Sequence, residues 1–145
     1  MKGVVRALLD LPVEIKKRNK DNVIPGTGYF PLSPQNPIVE ALGLYDMSSA
    51  DDIHAFCSQL DASPYHRETI KKCAAGIHEL LLDIARKICE GLGLASNSFE
   101  EWPCLFRFNK YSFTLEAVGS TAALLQTHFF SLYYKMMKML VVLKS

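Results

Sequence analysis

The chain has 145 residues, of which 49% are apolar and 21% charged, and its formal net charge is +1. That length supports one domain with a core of its own, and the composition is that of an ordinary globular protein. A net charge so near zero removes any electrostatic case for a nucleic acid or an anionic membrane surface as partner.

The first element is a short helix over Val4 to Leu9, which Asp10-Leu11-Pro12 interrupts. Pro12 suits the first turn of a second helix, Val13 to about Arg18, whose end carries Lys16, Lys17 and Arg18 where the helix dipole favours cations. Asn19 to Asn36 is rich in Gly, Pro, Asn and Ser and reads as a long loop. Tyr29 and Phe30 within it predict that the loop packs on something, and Pro25 to Pro34 fits simple surface packing at least as well as a lid segment. Pro37 to Leu44 reads as a short helix. Ser48 or Ser49 caps the next helix, with Asp51 and Asp52 in its first turn.

Ser63-Pro64 opens the longest element, which runs through Leu92 and stops at Gly93 or Gly91. Ile70, Cys73, Ile77, Leu80, Leu81, Ile84, Ile88 and Leu92 recur at helical spacing and form one apolar stripe in need of a partner surface. His78, near the stripe's edge, reads as a plain helix histidine. The four cysteines, Cys57, Cys73, Cys89 and Cys104, are 16, 16 and 15 residues apart. No C-x-x-C pair is present, so they read as reduced thiols. The opening MKGVVRALLDL is broken by Arg6 and has no small-residue cleavage site, so it is not read as a signal peptide.

Cys104 to Phe113 alternates like a strand. Phe106 and Phe108 face one way, predicted to seal against the long helix, while Arg107, Asn109 and Tyr111 face the other. A cation, an amide and a phenol on one face suit a small carboxylate. Alternation alone favours a half-buried strand with a solvated polar face.

Four strings carry a resemblance: VVRALLDLPVEIKKRN, NPIVEALGLYDM, FCSQLDASPYHRETIKKCAAGIHELLLDIARKI and FEEWPCLFRFNKYSF. Together they resemble the plant-type soluble 2-oxoglutarate/Fe(II)-dependent dioxygenases, in particular auxin-oxidising members, from Met1 to about Ser120. The resemblance implies a mainly α N-terminal region with one long amphipathic helix and one or two β-strands. Such a piece is a fragment of the α+β non-haem dioxygenase fold, whose core is a double-stranded β-helix (jelly roll). It implies residues 1–95 as the helical region, 96–120 as the start of the jelly roll and 121–145 as an aberrant apolar tail. It also implies that Asn109 and Tyr111 are a remnant of the 2-oxoglutarate pocket. It further implies a small-molecule substrate, with indole-3-acetic acid as the first candidate; the reduced cysteines point to a cytoplasmic location.

In that family Fe(II) is held by two His and one carboxylate, the first two ligands arriving as His-x-Asp soon after the Asn-x-Tyr strand. Here that place holds Gln126-Thr127-His128, and the chain ends at Ser145 before the distal His and Arg. No residue is therefore assigned to a metal site or to a catalytic role, and the chain is expected to be inactive and to bind neither Fe(II) nor 2-oxoglutarate well. The tail suggests a reason. If each codon takes the last base of one and the first two of the next, Met136 into Met137 yields Asp and Met137 into Lys138 yields Glu. A shifted-frame dioxygenase exon is the hypothesis, with Met1 as an internal start. Lys135 and Lys138 interrupt the tail's apolar run, which argues against a membrane span of about 20 apolar residues. Non-specific self-association through the tail is expected instead. The alternative function is a non-catalytic helical fragment that binds another protein, and marginal folding is expected because one or two strands make no sheet.

Overall fold

The computed structural model describes residues 1–20, 27–34, 36–93 and 103–112. In chain order these give α1 (Lys2–Leu9), α2 (Val13–Lys16), β1 (Val39–Leu44), α3 (Ala50–Gln59), α4 (Pro64–Leu92) and β2 (Phe106–Tyr111). The two strands are hydrogen-bonded neighbours. The chain divides into two units, residues 1–30 with 41–110 and residues 31–40 with 111–145.

The helix ends follow local chemistry. Ser49 caps α3 by accepting from the Asp52 N–H, with Asp51 and Asp52 in the first turn. Ser63 caps α4 by accepting from the His66 N–H, and Pro64 takes the first helical position. Gly93 closes α4 at φ 68°, a left-handed conformation that glycine adopts without a Cβ penalty. At the end of α1 the buried Lys16 ammonium donates to the Leu9 carbonyl at 2.9 Å and lies over the Tyr29 ring. It thus satisfies one of the carbonyls that the helix leaves open.

The first unit has one apolar cluster. Leu8 and Leu9 of α1, Leu42 and Leu44 of β1, Phe56 and Leu60 near the end of α3, Ile70 and Ala74 of α4 and Phe108 of β2 all meet there. Tyr29 packs against the same cluster, as its aromatic character predicted. Of the long stripe on α4, Ile70 is buried, but Leu80, Ile84, Ile88 and Leu92 are exposed. None of the four cysteines is in a disulfide.

Pro37 to Leu44, read as a short helix, is corrected by the structure: Val39–Leu44 is a strand, buried at all six positions. Its apolar run fits a buried strand as well as a helix, and pairing decides between them. Phe30 and Ala41 exchange backbone hydrogen bonds at 2.8 and 2.9 Å. The Asn19 side chain accepts from the Gly43 N–H and donates to the Gly43 carbonyl, both at 2.9 Å. Gly43 tolerates no side chain, since a Cβ there would sit 1.4 Å from the Thr27 carbonyl oxygen.

In the second unit Ile38 and Val39 form a small cluster with Tyr111 packed on it. The Asn36 side chain donates to the Val39 and Pro31 carbonyls, and the Ser112 N–H donates to the Ile38 carbonyl at 2.8 Å. The Gln126-Thr127-His128 segment and the whole tail from residue 121 lie outside the described residues.

Candidate functional site

The strand expected over Cys104 to Phe113 is present as β2, Phe106–Tyr111. Its alternation is the predicted one. Phe108 is buried, with Phe106 beside it at 4.7 Å between ring centroids. The ring that meets Phe108 belongs to α3, Phe56 at 5.3 Å between centroids. The seal was expected against the long helix; here Phe56 supplies the ring, while Ile70 and Ala74 of α4 belong to the same cluster.

What holds β2 in place is polar as well as apolar. Just before the strand, the Cys104 N–H donates to the Asp46 carboxylate at 2.9 Å, and the Met47 N–H donates to the Cys104 carbonyl at 2.8 Å. Burial by itself would raise the Asp46 pKa. The hydrogen bonds from the Cys104 N–H, the Ser48 hydroxyl and the Ser48 N–H outweigh it, and the carboxyl titrates below its usual 3.8. Near the strand's far end, Lys110 donates to Asp10, which follows α1. That hydrogen bond is the main reason the exposed Asp10 carboxyl also titrates below its usual value.

The polar positions of the strand are all half-buried. The Arg107 guanidinium lies over the Phe30 ring, 5.5 Å from its centroid, an arrangement that sets a flat cation on a π-face. Asn109, two residues on, belongs to the same unit; Tyr111 lies in the second unit, against Ile38 and Val39. Sequence reading placed Arg107 with a carboxylate and missed Phe30 as its neighbour. That contact comes from the bridge between Phe30 and Ala41, which joins positions 11 residues apart and leaves no local pattern.

An amide and a phenol are hydrogen-bond donors suited to a carboxylate such as 2-oxoglutarate, so the chemistry of Asn109 and Tyr111 fits that ligand. Among the described residues no group of three His, Cys, Asp or Glu is placed to hold a metal ion. Among the same residues no helix is long and apolar enough to cross a membrane.

No family model matches the chain. Individual proteins do. The chain is 48% identical over 127 residues to the 2-oxoglutarate-dependent dioxygenase DAO of Oryza sativa subsp. indica, and equally to that of subsp. japonica. The match covers 88% of this chain and 42% of each relative, so the chain spans less than half of their length. A stretch of 127 residues in a chain of 145 necessarily includes Asn109 and Tyr111. The solved structure of dioxygenase for auxin oxidation 1 from Arabidopsis thaliana, in a binary complex with 2-oxoglutarate, matches with a TM-score of 0.77 at 47% identity. That match covers 81% of this chain and 44% of the other. The rice dioxygenase for auxin oxidation matches with a TM-score of 0.65 at 48% identity, covering 81% of this chain and 38% of the other. Among the described residues, three helices and a two-stranded sheet around one apolar cluster are thus a fragment of the dioxygenase fold, and close homologues of this chain are the plant 2-oxoglutarate-dependent dioxygenases DAO.

Proposed function

We propose that the chain carries the 2-oxoglutarate-facing strand of an auxin-type dioxygenase and does not turn over by itself. In a complete enzyme the Asn109 amide N–H and the Tyr111 phenol O–H would donate to the cofactor's carboxylate. Arg107 on its aromatic rest adds positive potential nearby. The observation that carries this reading is the 48% identity over 127 residues, which spans β2.

In the complete reaction 2-oxoglutarate is decarboxylated to succinate while a small molecule, foremost indole-3-acetic acid, is oxidised. Fe(II) supplies the oxygen chemistry when bound. Two His and one carboxylate would hold it, and Gln126-Thr127-His128 does not supply a His-x-Asp pair. The division proposed is 1–95 helical, 96–120 opening the jelly-roll core and 121–145 a shifted-frame tail. The location proposed is the cytoplasm, with self-association through the tail.

The test is succinate release by the purified 145-residue chain with Fe(II), 2-oxoglutarate and indole-3-acetic acid. Release at background level is expected; turnover above it refutes the proposed inactivity. Sequencing the gene across Leu124 to Ser145 tests the frame, since the shifted codons must spell the dioxygenase strand.

A second reading has its own observation. Leu80, Ile84, Ile88 and Leu92 stand exposed in a row on α4. A non-catalytic helical fragment that binds protein through this row is the alternative, and a pull-down that the Ile84→Lys variant abolishes would favour it.

A further inference from the structure

A cavity of about 380 Å³ opens between the start of α3 and the first half of α4, with no residue of β2 in its lining. Its floor is apolar. Met47 and Ile53 are buried side chains, and Ala75 contributes a methyl group from α4. Its rim is cationic. Arg67 and Lys71 stand one turn apart on the same face of α4, and Ala75 continues that face.

Among the described residues neither the Arg67 nor the Lys71 side chain joins an ion pair, although Lys72 and Lys87 on the same helix pair with Glu68 and Asp83. Among the described residues Glu79, one turn past Ala75, is the single carboxylate of the lining, and His54 and His78 complete the polar wall. Asp51 and Asp52 are outside the lining. Two permanent cations against one carboxylate leave the mouth positive, and a volume in this range holds a small organic molecule.

We infer that this α3–α4 cavity binds a compact amphipathic anion, an apolar ring or branched chain carrying one carboxylate. The apolar body rests on Met47, Ile53 and Ala75. The carboxylate meets the Arg67 guanidinium, which offers two parallel N–H donors, and the Lys71 ammonium. The inference does not depend on the reading of Asn109 and Tyr111, because no residue is shared.

Phenylacetate is the probe, titrated into the full chain and followed by ligand-observed NMR and calorimetry. Saturable binding with a Kd near or below about 1 mM is expected. Phenylacetamide, which has the ring but no charge, and inorganic phosphate, which has charge but no ring, should each bind at least about tenfold more weakly. R67Q/K71Q should weaken phenylacetate by about tenfold or more, whereas Lys87→Gln should leave it unchanged. Ala75→Trp keeps both cations and fills the floor, so it should abolish binding while circular dichroism stays unaltered. Absence of saturation in the wild-type chain overturns the inference. So does equal binding by R67Q/K71Q, by Ala75→Trp, by phenylacetamide or by phosphate.

Discussion

At the scale of single residues the most consequential side chain is Asn19. It is buried, and it exchanges two hydrogen bonds with Gly43 and donates a third to the Gln59 side chain. Asn19→Ala leaves the buried Gly43 N–H and carbonyl without partners, so a loss of about 2–4 kcal/mol is expected in urea titration. Gly43→Ala forces the Thr27 carbonyl away and should cost about 3 kcal/mol or more by the same measurement. Asp46 carries the pH dependence. Its folded pKa is lowered, so its contribution is fully present above the unfolded value of 3.8 and is lost as pH falls through the folded pKa. Thermal midpoints measured from pH 7 to pH 2 should therefore fall on the acid side, and Asp46→Asn should flatten that limb. Almost none of this was legible in the sequence, because each partner lies far along the chain: 24 residues from Asn19 to Gly43 and 58 from Asp46 to Cys104.

At the scale of elements, legibility tracked how local the deciding physics is. α4 was readable to its ends because Ser63, Pro64 and Gly93 act within one turn of it. β2 was readable because alternation is a local pattern, and so was the cap at Ser49. β1 was not, because Glu40-Ala41-Leu42 favours a helix and only pairing with Phe30 and β2 overrides that propensity. The stripe on α4 was read as continuous, yet its two ends differ. Ile70 is fully buried and Ile84 is exposed. Ile70→Ala should cost about 2–5 kcal/mol in denaturant titration. Ile84→Lys should change stability by no more than about 0.5 kcal/mol and improve solubility in a sedimentation assay.

For the whole molecule, the relevant quantities are the 42% coverage of the rice relatives and the two-stranded sheet. Among the described residues the core draws on five elements, of which only α4 is long, and the sheet has two strands, so a broad thermal transition centred below about 45 °C is expected by circular dichroism. A sharp, cooperative melt well above that temperature refutes it. Asn109 and Tyr111 were legible as alternate positions of one strand, β2. What surrounds it was not, because Phe30 and Ile38 reach their places through folding. Asn19 also bears on how long each copy of the chain lasts. Hydrolysis of its amide to a carboxylate would leave an acceptor facing the Gly43 carbonyl, where a donor is required. Native burial shields that amide, so its hydrolysis is expected to run faster in urea than in the folded chain, as mass spectrometry of the two samples would read.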